Sequence, residues 1–295
     1  MRIASLNMQN LRLLPDGSGG HLHGARDRDD AESPAHDAAD RRLTAELLAA
    51  TGADVLALQE VFDAESLDAF HDRYLAQVAD PYPHRLCLPG NDGRGLDVAL
   101  MARRRWEGAS THAELLPSDL GLSPLKGMPE DQPVFRRDCL EARFGALTLF
   151  VLHLKAPWPD PKRAWELRRL ESQAVLRLLP RDPEALWLVI GDLNEPRGEG
   201  ERAIAPLEAA GVDLGLRLPE DRRWTYYEPH LHKHNRPDVM IASQALAARF
   251  PDAVPRVLYR GLGREAGQGA RLPGVGEHRP HASDHAALLI DLPGL

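Results

Sequence analysis

Asp192 and Asn194 stand two residues apart at the end of an apolar run, Leu186-Trp187-Leu188-Val189-Ile190, with Gly191 before the pair. An ionised carboxylate can orient and deprotonate a water, and an amide on the same side of an extended backbone can donate a hydrogen bond to developing negative charge. By itself such a pair is more often a turn or a helix cap. It gains meaning from its company: Asn7, Glu60 and His153 also end apolar runs, whereas Asp97, Asp238, Asp284 and His285 begin them. Asn7, Glu60 and Asp284 offer hard oxygens to a magnesium-like ion, which keeps several waters and binds through one or two carboxylates. Such an ion stabilises charge on a phosphoryl or leaving oxygen. His153 and His285 are imidazoles able to hydrogen-bond a phosphate, and a carboxylate such as Asp238 fixes a ring's tautomer. The chain has neither the Cys/His spacing of structural zinc nor a Gly-x-Ser-x-Gly elbow.

The elements that must carry these residues follow from the pattern of apolar positions. Short apolar runs read as buried strands at 1–7, 53–59, 97–102, 147–154, 186–192, 238–242 and 286–292, with a half-exposed alternating strand at 137–144 and an aromatic one at 223–227. Amphipathic patterns predict helices over 41–51, capped by Asp40 and ended by Gly52, over 63–79, over 162–179 and around 204–210. Residues 15–40 hold almost no large apolar residue and read as a long loop or insertion, and 107–133 and 259–282 also read as loops. The glycines of Gly90-Asn91-Asp92-Gly93-Arg94-Gly95 lead into a strand without a Gly-Lys-Ser/Thr, so they make a tight connection and not a nucleotide-binding loop.

Strand direction then becomes a constraint. Polar residues at the C-terminal ends of some strands and the N-terminal ends of others meet only if the two groups run oppositely. That implies mixed or antiparallel sheets with every polar end on one edge, and excludes a doubly wound parallel sheet. No internal repeat or linker divides the chain, so a single domain spanning 1–295 is the simplest account.

The composition narrows the classes. A 295-residue chain with 43% hydrophobic residues has ample core. No run of about twenty apolar residues spans a membrane and no signal peptide opens the sequence, which predicts a cytoplasmic protein. Two cysteines, Cys87 and Cys139, are too few for a disulfide scaffold and read as buried free thiols. A formal charge of -8 argues against long-range attraction to nucleic acid, although a local basic face, or acids gathered around a cation, is compatible with it.

The Asn7 strand, Gln59-Glu60-Val61, His153-Leu154-Lys155, Gly191-Asp192-Leu193-Asn194, Asp238 and Ser283-Asp284-His285 together resemble the endonuclease/exonuclease/phosphatase superfamily in its own order, across essentially the whole chain. The resemblance implies a four-layered α/β/β/α sandwich of two mixed sheets and a divalent-metal-dependent hydrolase of phosphate esters, with magnesium as cofactor and manganese a plausible substitute. It implies Glu60 as the principal metal ligand, with Asn7 in support and Asp284 binding or supporting the metal. Asp192 would orient the attacking water, Asn194 stabilise the pentacovalent charge, and His285, oriented by Asp238, contact the scissile phosphate. His153 would be a second phosphate-binding imidazole, Arg137 and Lys155 phosphate contacts, and Asp97 a buttress for His153. Departures bear on the substrate: Asn7-Met8-Gln9 lacks the second early acid of exonuclease III-type enzymes, and Lys155-Ala156-Pro157 lacks a serine frequent after that lysine. Asn194-Glu195-Pro196 also departs from a phosphoinositide-phosphatase signature.

A nuclease or phosphodiesterase is the leading expectation, with a phosphate ester, nucleic acid among the options, as the partner and nothing that marks a protein partner. A phosphomonoesterase acting on a small metabolite or lipid headgroup is the rival. A non-enzymatic reading makes His230, His232 and His234, alternating along an extended segment, a zinc or nickel module, though such histidines are more often solvated loop residues. Trp224 and Tyr226 would stack on a base or sugar, or else belong to the core. Arg260, Arg264, Arg271 and Arg279 give the last loop either a phosphate-attracting or a merely solvated character.

Overall fold

A computed structural model of the chain describes residues 1–15, 19–27, 30–196, 200–267 and 269–295. Parts of the expected loops, residues 16–18, 28–29 and 268, lie outside the described residues.

Two six-stranded sheets share one plan. The first runs Arg256–Leu258, Ala287–Asp291, Arg2–Leu11, Val55–Val61, Asp97–Ala102, His84–Cys87. The second runs Val212–Asp213, Asp238–Ala242, Leu186–Asp192, Leu147–His153, Cys139–Phe144, Gly108–Ser110. In each, the two central strands are parallel and every other neighbour is antiparallel. A parallel pair needs a crossover. Here each is made by an 18-residue helix, α1 (Pro34–Thr51) and α3 (Pro161–Leu178).

Alternation along the strands builds four layers. Ile3, Val55 and Leu100 face Val151, Leu188 and Met240 of the other sheet. Their neighbours Ala4, Leu56 and Met101 turn to the other face, against Leu43, Leu47 and Leu48 of α1 and Phe70 of α2 (Ala64–Arg73). On the far side, Phe150, Leu152 and Val189 meet Leu170, Ala174 and Val175 of α3 and Leu207 of α4 (Ala205–Ala210). This is the α/β/β/α sandwich expected from the sequence. Cys87 and Cys139 are buried and free, and no described helix is long and apolar enough to cross a membrane.

Three expectations about elements need correction. Helix α1 starts at Pro34, not at Arg41: Ser33 Oγ accepts from the His36 amide, and proline fits a first turn whose N–H has no partner. Asp40 is therefore inside the helix, where its carboxylate takes Arg279 and the His281 amide. The stretch 15–40 also contains a short hairpin strand, His21–Leu22, paired with Leu13–Leu14. The aromatic stretch at 223–227 contributes only Tyr226 and Tyr227 to a strand, Tyr226–Glu228, in a separate hairpin with Lys233–Asn235.

The register brings the polar ends together. Asn7 lies opposite Gln59, one residue before Glu60, while Asp192 lies opposite His153 on one side and Asp238 on the other. Gly191 has no alternative at its place: its φ is +136°, and a Cβ there would stand 2.1 Å from the Leu152 carbonyl oxygen.

Candidate active site

The polar strand ends line one cleft of about 310 Å³, walled by Glu60, Asp192 and Asn194 with His153, Asp284 and His285. Backbone geometry aims them. Beyond Asn7 the first strand passes through a bulge in which Gln9 and Asn10 take φ of 44° and 60°. That turn points the Asn10 amide at Glu60 Oε2, 3.0 Å away, and the Gln9 amide at Asn7 Oδ1, 2.9 Å away. Glu60 and Asn194 are themselves left-handed, at 59° and 52°. Non-glycine residues held there mark a backbone constrained by its surroundings. After Asp192 the chain turns so that the Asn194 amide donates to Asp192 Oδ1 at 2.9 Å.

Asp192 is the centre. Its other oxygen accepts from Asn7 Nδ2 at 3.1 Å and lies 3.6 Å from His153 Nε2 and 3.9 Å from His285 Nε2. His285 Nδ1 meets Asp238 Oδ2 at 2.8 Å, and Thr225 Oγ1 donates to the same oxygen at 2.6 Å, so the ring is fixed with Nε2 toward the cleft. Ser283 Oγ donates to the Asn7 carbonyl and accepts from the His285 amide. Asp284 is held by its amide on Gln9 Oε1.

Electrostatics separate the groups. Burial, reinforced by Asp238, pushes the Asp192 carboxyl up to about 6, against His285 and Asn7. Burial, with Asp27, Glu60 and Asp192 nearby, pushes Asp284 up to about 7. Burial lowers His153 well below the usual imidazole range, with Arg137 and His285 adding to it, so this ring is neutral. Burial acts the same way on His285, but Asp238, Asp284 and Asp192 outweigh it and keep that ring charged.

The donors suit a hard cation. Glu60 and Asp284 line the cleft with carboxylate oxygens, Asn7 beside them turns its amide nitrogen to Asp192 and its oxygen to the Gln9 amide, and the burial and crowding that raise the pKa of Asp284 would be relieved by a divalent ion. A tighter cluster exists elsewhere among the described residues, at Asp27, Asp30 and His278. There both imidazole nitrogens are already on carboxylates, Glu265 and Asp30.

Of the other expected contacts, Arg137 and Tyr226 line the cleft. Arg137 is fixed by Asp92 Oδ2 at 3.0 Å and the Leu154 carbonyl, and the Tyr226 ring leans on His285 at 5.0 Å between centroids. Lys155 does not line it: its ammonium folds back onto the Ala156 and Trp158 carbonyls. Nor does Trp224, which is stacked between His234 and Tyr259 in a small core of its own. Asp97 sits against the Gly90 backbone, with Asp92, Asp138 and Arg137 nearby and no hydrogen bond to His153. The three alternating histidines diverge, His232 reaching Tyr227 Oη and His234 the Ala266 carbonyl, so they form no metal cluster. In the last loop, Arg279 pairs with Asp37 and Asp40, and Arg271 holds backbone carbonyls.

Sequence reasoning passed over Arg94. It lines the cleft, braced by both oxygens of Asp92, in the glycine-rich connection just before the Asp97 strand. Its position near a strand start on the same edge was the available signal. Glu195, Glu228 and Asn235 were also missed; they reach the cleft from loops and from the short hairpin.

The fold has solved counterparts. An endonuclease/exonuclease/phosphatase family protein from Leptotrichia buccalis superposes with a TM-score of 0.60 at 12% identity, covering 99% of this chain and 98% of the other. An AP endonuclease from Archaeoglobus fulgidus gives 0.61 at 15%, covering 99% of both chains. D. rerio TDP2 complexed with a single-strand DNA product gives 0.57 at 19%, covering 98% of this chain and 97% of that one. No curated protein matches the sequence. The sequence pattern of the endonuclease/exonuclease/phosphatase family matches residues 4–285, nearly the whole chain, and the protein belongs to that family.

Proposed function

We propose that the protein is a divalent-metal-dependent hydrolase of phosphate esters, acting on a diester and using Asp192 as the base for the attacking water. The observation that carries this reading is one buried carboxylate, Asp192, that faces a neutral imidazole and a charged one across a cleft also lined by Glu60 and Asp284. A carboxyl raised by burial toward 6 is ionised at neutral pH yet basic enough to take a proton from water.

Glu60 and Asp284 would hold magnesium or manganese, with Asn7 in support; the ion, when bound, supplies charge stabilisation at phosphoryl and leaving oxygens. Asn7 fixes the rotamer of Asp192 through its amide. His285, braced by Asp238, presents Nε2–H to a phosphate oxygen, and neutral His153 lies within reach of the same space. Asn194 spends one amide hydrogen on the Leu154 carbonyl and keeps the other for charge developing on phosphorus oxygens.

A diester is favoured over a monoester because the cleft does not end at the phosphate. Arg94 also lines a neighbouring open groove of about 570 Å³, with Asn10, Arg12, Arg26 and Phe62 and the carboxylates of Asp27 and Glu32, where the Arg12 guanidinium lies 4.1 Å from the Phe62 ring centroid. A chain leaving the phosphate on that side has room and meets Arg12 stacked on Phe62. AP endonuclease and TDP2 with a DNA product are among the similar folds, which supports nucleic acid as one candidate substrate. The test is hydrolysis of plasmid, single-stranded DNA, RNA, bis-p-nitrophenyl phosphate and p-nitrophenyl phosphate, with magnesium or manganese and with chelator. Metal-dependent turnover of a diester is expected; rapid turnover of the monoester alone overturns the diester reading.

A further inference from the structure

Two arginines that line the cleft share one carboxylate. Asp92 lies in the loop 90–95, which joins the strands His84–Cys87 and Asp97–Ala102. Arg94, two residues on, donates its amide to Asp92 Oδ1 at 2.8 Å, its Nε to the same oxygen at 3.1 Å and its Nη2 to Oδ2 at 2.9 Å. That Oδ2 also lies 3.0 Å from Arg137 Nε, and Arg137 Nη1 donates to the Leu154 carbonyl. Arg94 Nη1 and Arg137 Nη2 are left without an acceptor among the described residues, and both side chains line the cleft.

The loop is built onto Arg137. The Asn91 amide donates to the Arg137 carbonyl at 3.2 Å, and the Asn91 side chain donates to the carbonyls of Ala113 and Phe135. Gly90 lets the two segments touch, since a Cβ there would stand 2.9 Å from the Arg137 carbonyl carbon. Asp92 is therefore carried at a fixed place, with its side chain 10% exposed. Burial would raise its carboxyl, but the hydrogen bonds from Arg94 and the charge of Arg137 hold it below the usual range, so it is ionised at neutral pH. Stability does not account for the arrangement at Arg94. That side chain is 66% exposed, and an ion pair so open to water adds little to folding. What the pairing removes is freedom: an arginine already held in one rotamer costs less to immobilise on a ligand. Two cations on one anion leave a net positive charge, and their free N–H groups match the oxygens of a phosphate.

We infer that Asp92 is a positioning residue: it holds Arg94 and Arg137 as a fixed two-armed receptor for phosphate oxygens of the substrate, and Arg94, which also lines the neighbouring groove, sets how tightly the substrate is held on that side. The inference rests on the phosphoester reading of the cleft.

Steady-state hydrolysis by the full chain tests it, with bis-p-nitrophenyl phosphate and manganese, or with p-nitrophenyl phosphate if only the monoester turns over. Arg94→Met should raise KM about tenfold, the factor for one charge-assisted hydrogen bond, and lower kcat by no more than about threefold. Arg94→Lys keeps the charge but cannot grip both oxygens of Asp92, so it should raise KM nearly as far. Asp92→Asn should raise KM further, because Arg137 loses its anion too. In the Arg94→Met background Asp92→Asn should matter less than in the parent, since the Arg94 share of its effect is already lost. A purely structural role would lower the active fraction, and with it kcat, without moving KM. Arg94→Lys with the parental KM would show that charge suffices without placement, and it overturns the inference even if Asp92→Asn fails to fold. Asp92→Asn with the parental KM, or effects of the two substitutions that multiply independently, overturns it as well. Each of these results leaves the phosphoester reading in place, whereas a parent that hydrolyses neither ester overturns both.

Discussion

The two halves of the molecule repeat one device and stabilise it differently. In each sheet a long helix connects two parallel strands with polar residues at their ends: Asn7 and Glu60 in the first, His153 and Asp192 in the second. The second half is nearly self-contained, because the Asn194 amide closes on Asp192 two residues back. The first half is not. Its strand continues past Asn7 through two left-handed residues, and the carbonyls this exposes are collected by a side chain from α1. Arg41, fully buried, donates to the carbonyls of Met8, Gln9, His23 and Gly24. Gln9, fixed in this way, reaches Asp284 and His281 far along the chain. A local turn suffices where one strand end carries both groups; a clamp is needed where the polar groups come from distant segments.

The contrast can be broken from either side. Asp192→Asn keeps the shape of the self-contained turn and removes the base, so kcat should fall by about 10²- to 10⁴-fold with the fold intact by circular dichroism. A loss of less than tenfold would show that another group takes the proton. Arg41→Met should act through stability, costing about 3–5 kcal/mol in urea unfolding, because the buried carbonyls of Met8 and Gln9, with those of His23 and Gly24 beside them, lose a shared donor at once. If the variant is as stable as the parent, the clamp is not what holds the first half.

His281 gives a pH-dependent version of the same test. Burial, helped by His278 and Arg279, lowers its pKa to about 4 in the folded protein, from an ordinary 6.5. Between these values the unfolded chain takes up a proton that the native site refuses, so stability falls as pH drops from 6.5 toward 4. The difference amounts to about 3 kcal/mol for this group. Removing it with His281→Gln should flatten that part of the stability profile relative to the parent; parallel profiles would contradict the assignment. The smallest effect is expected at Lys155. With its ammonium on the Ala156 and Trp158 carbonyls, Lys155→Met should change kcat/KM by no more than about threefold, as for residues outside a site. A hundredfold loss would mean that the side chain swings into the cleft during turnover.

How much of this was legible differs by kind of residue. Asn7, Glu60, Asp192, Asn194 and His285 could be read because each ends or begins a buried strand, and strand ends follow from a local alternation of apolar and polar residues. The opposed directions of those strands, and from them two mixed sheets, came from the same local pattern. Lys155 and Trp224 were misplaced although their strands or neighbours were found, because where a side chain points after its strand ends depends on which carbonyls and rings lie nearby. The start of α1 was misread because Asp40 looks like a cap, while its real partners, Arg279 and the His281 amide, lie some 240 residues away.

The sequence by itself thus determined which polar residues stand at strand ends, the four layers and the family, since these rest on residue type and short-range periodicity. Only the tertiary structure decided that Arg94 joins the cleft and that Arg41 clamps the first strand. Those features depend on contacts between segments far apart in the chain, and no local pattern encodes which distant carbonyl or carboxylate a buried side chain will meet.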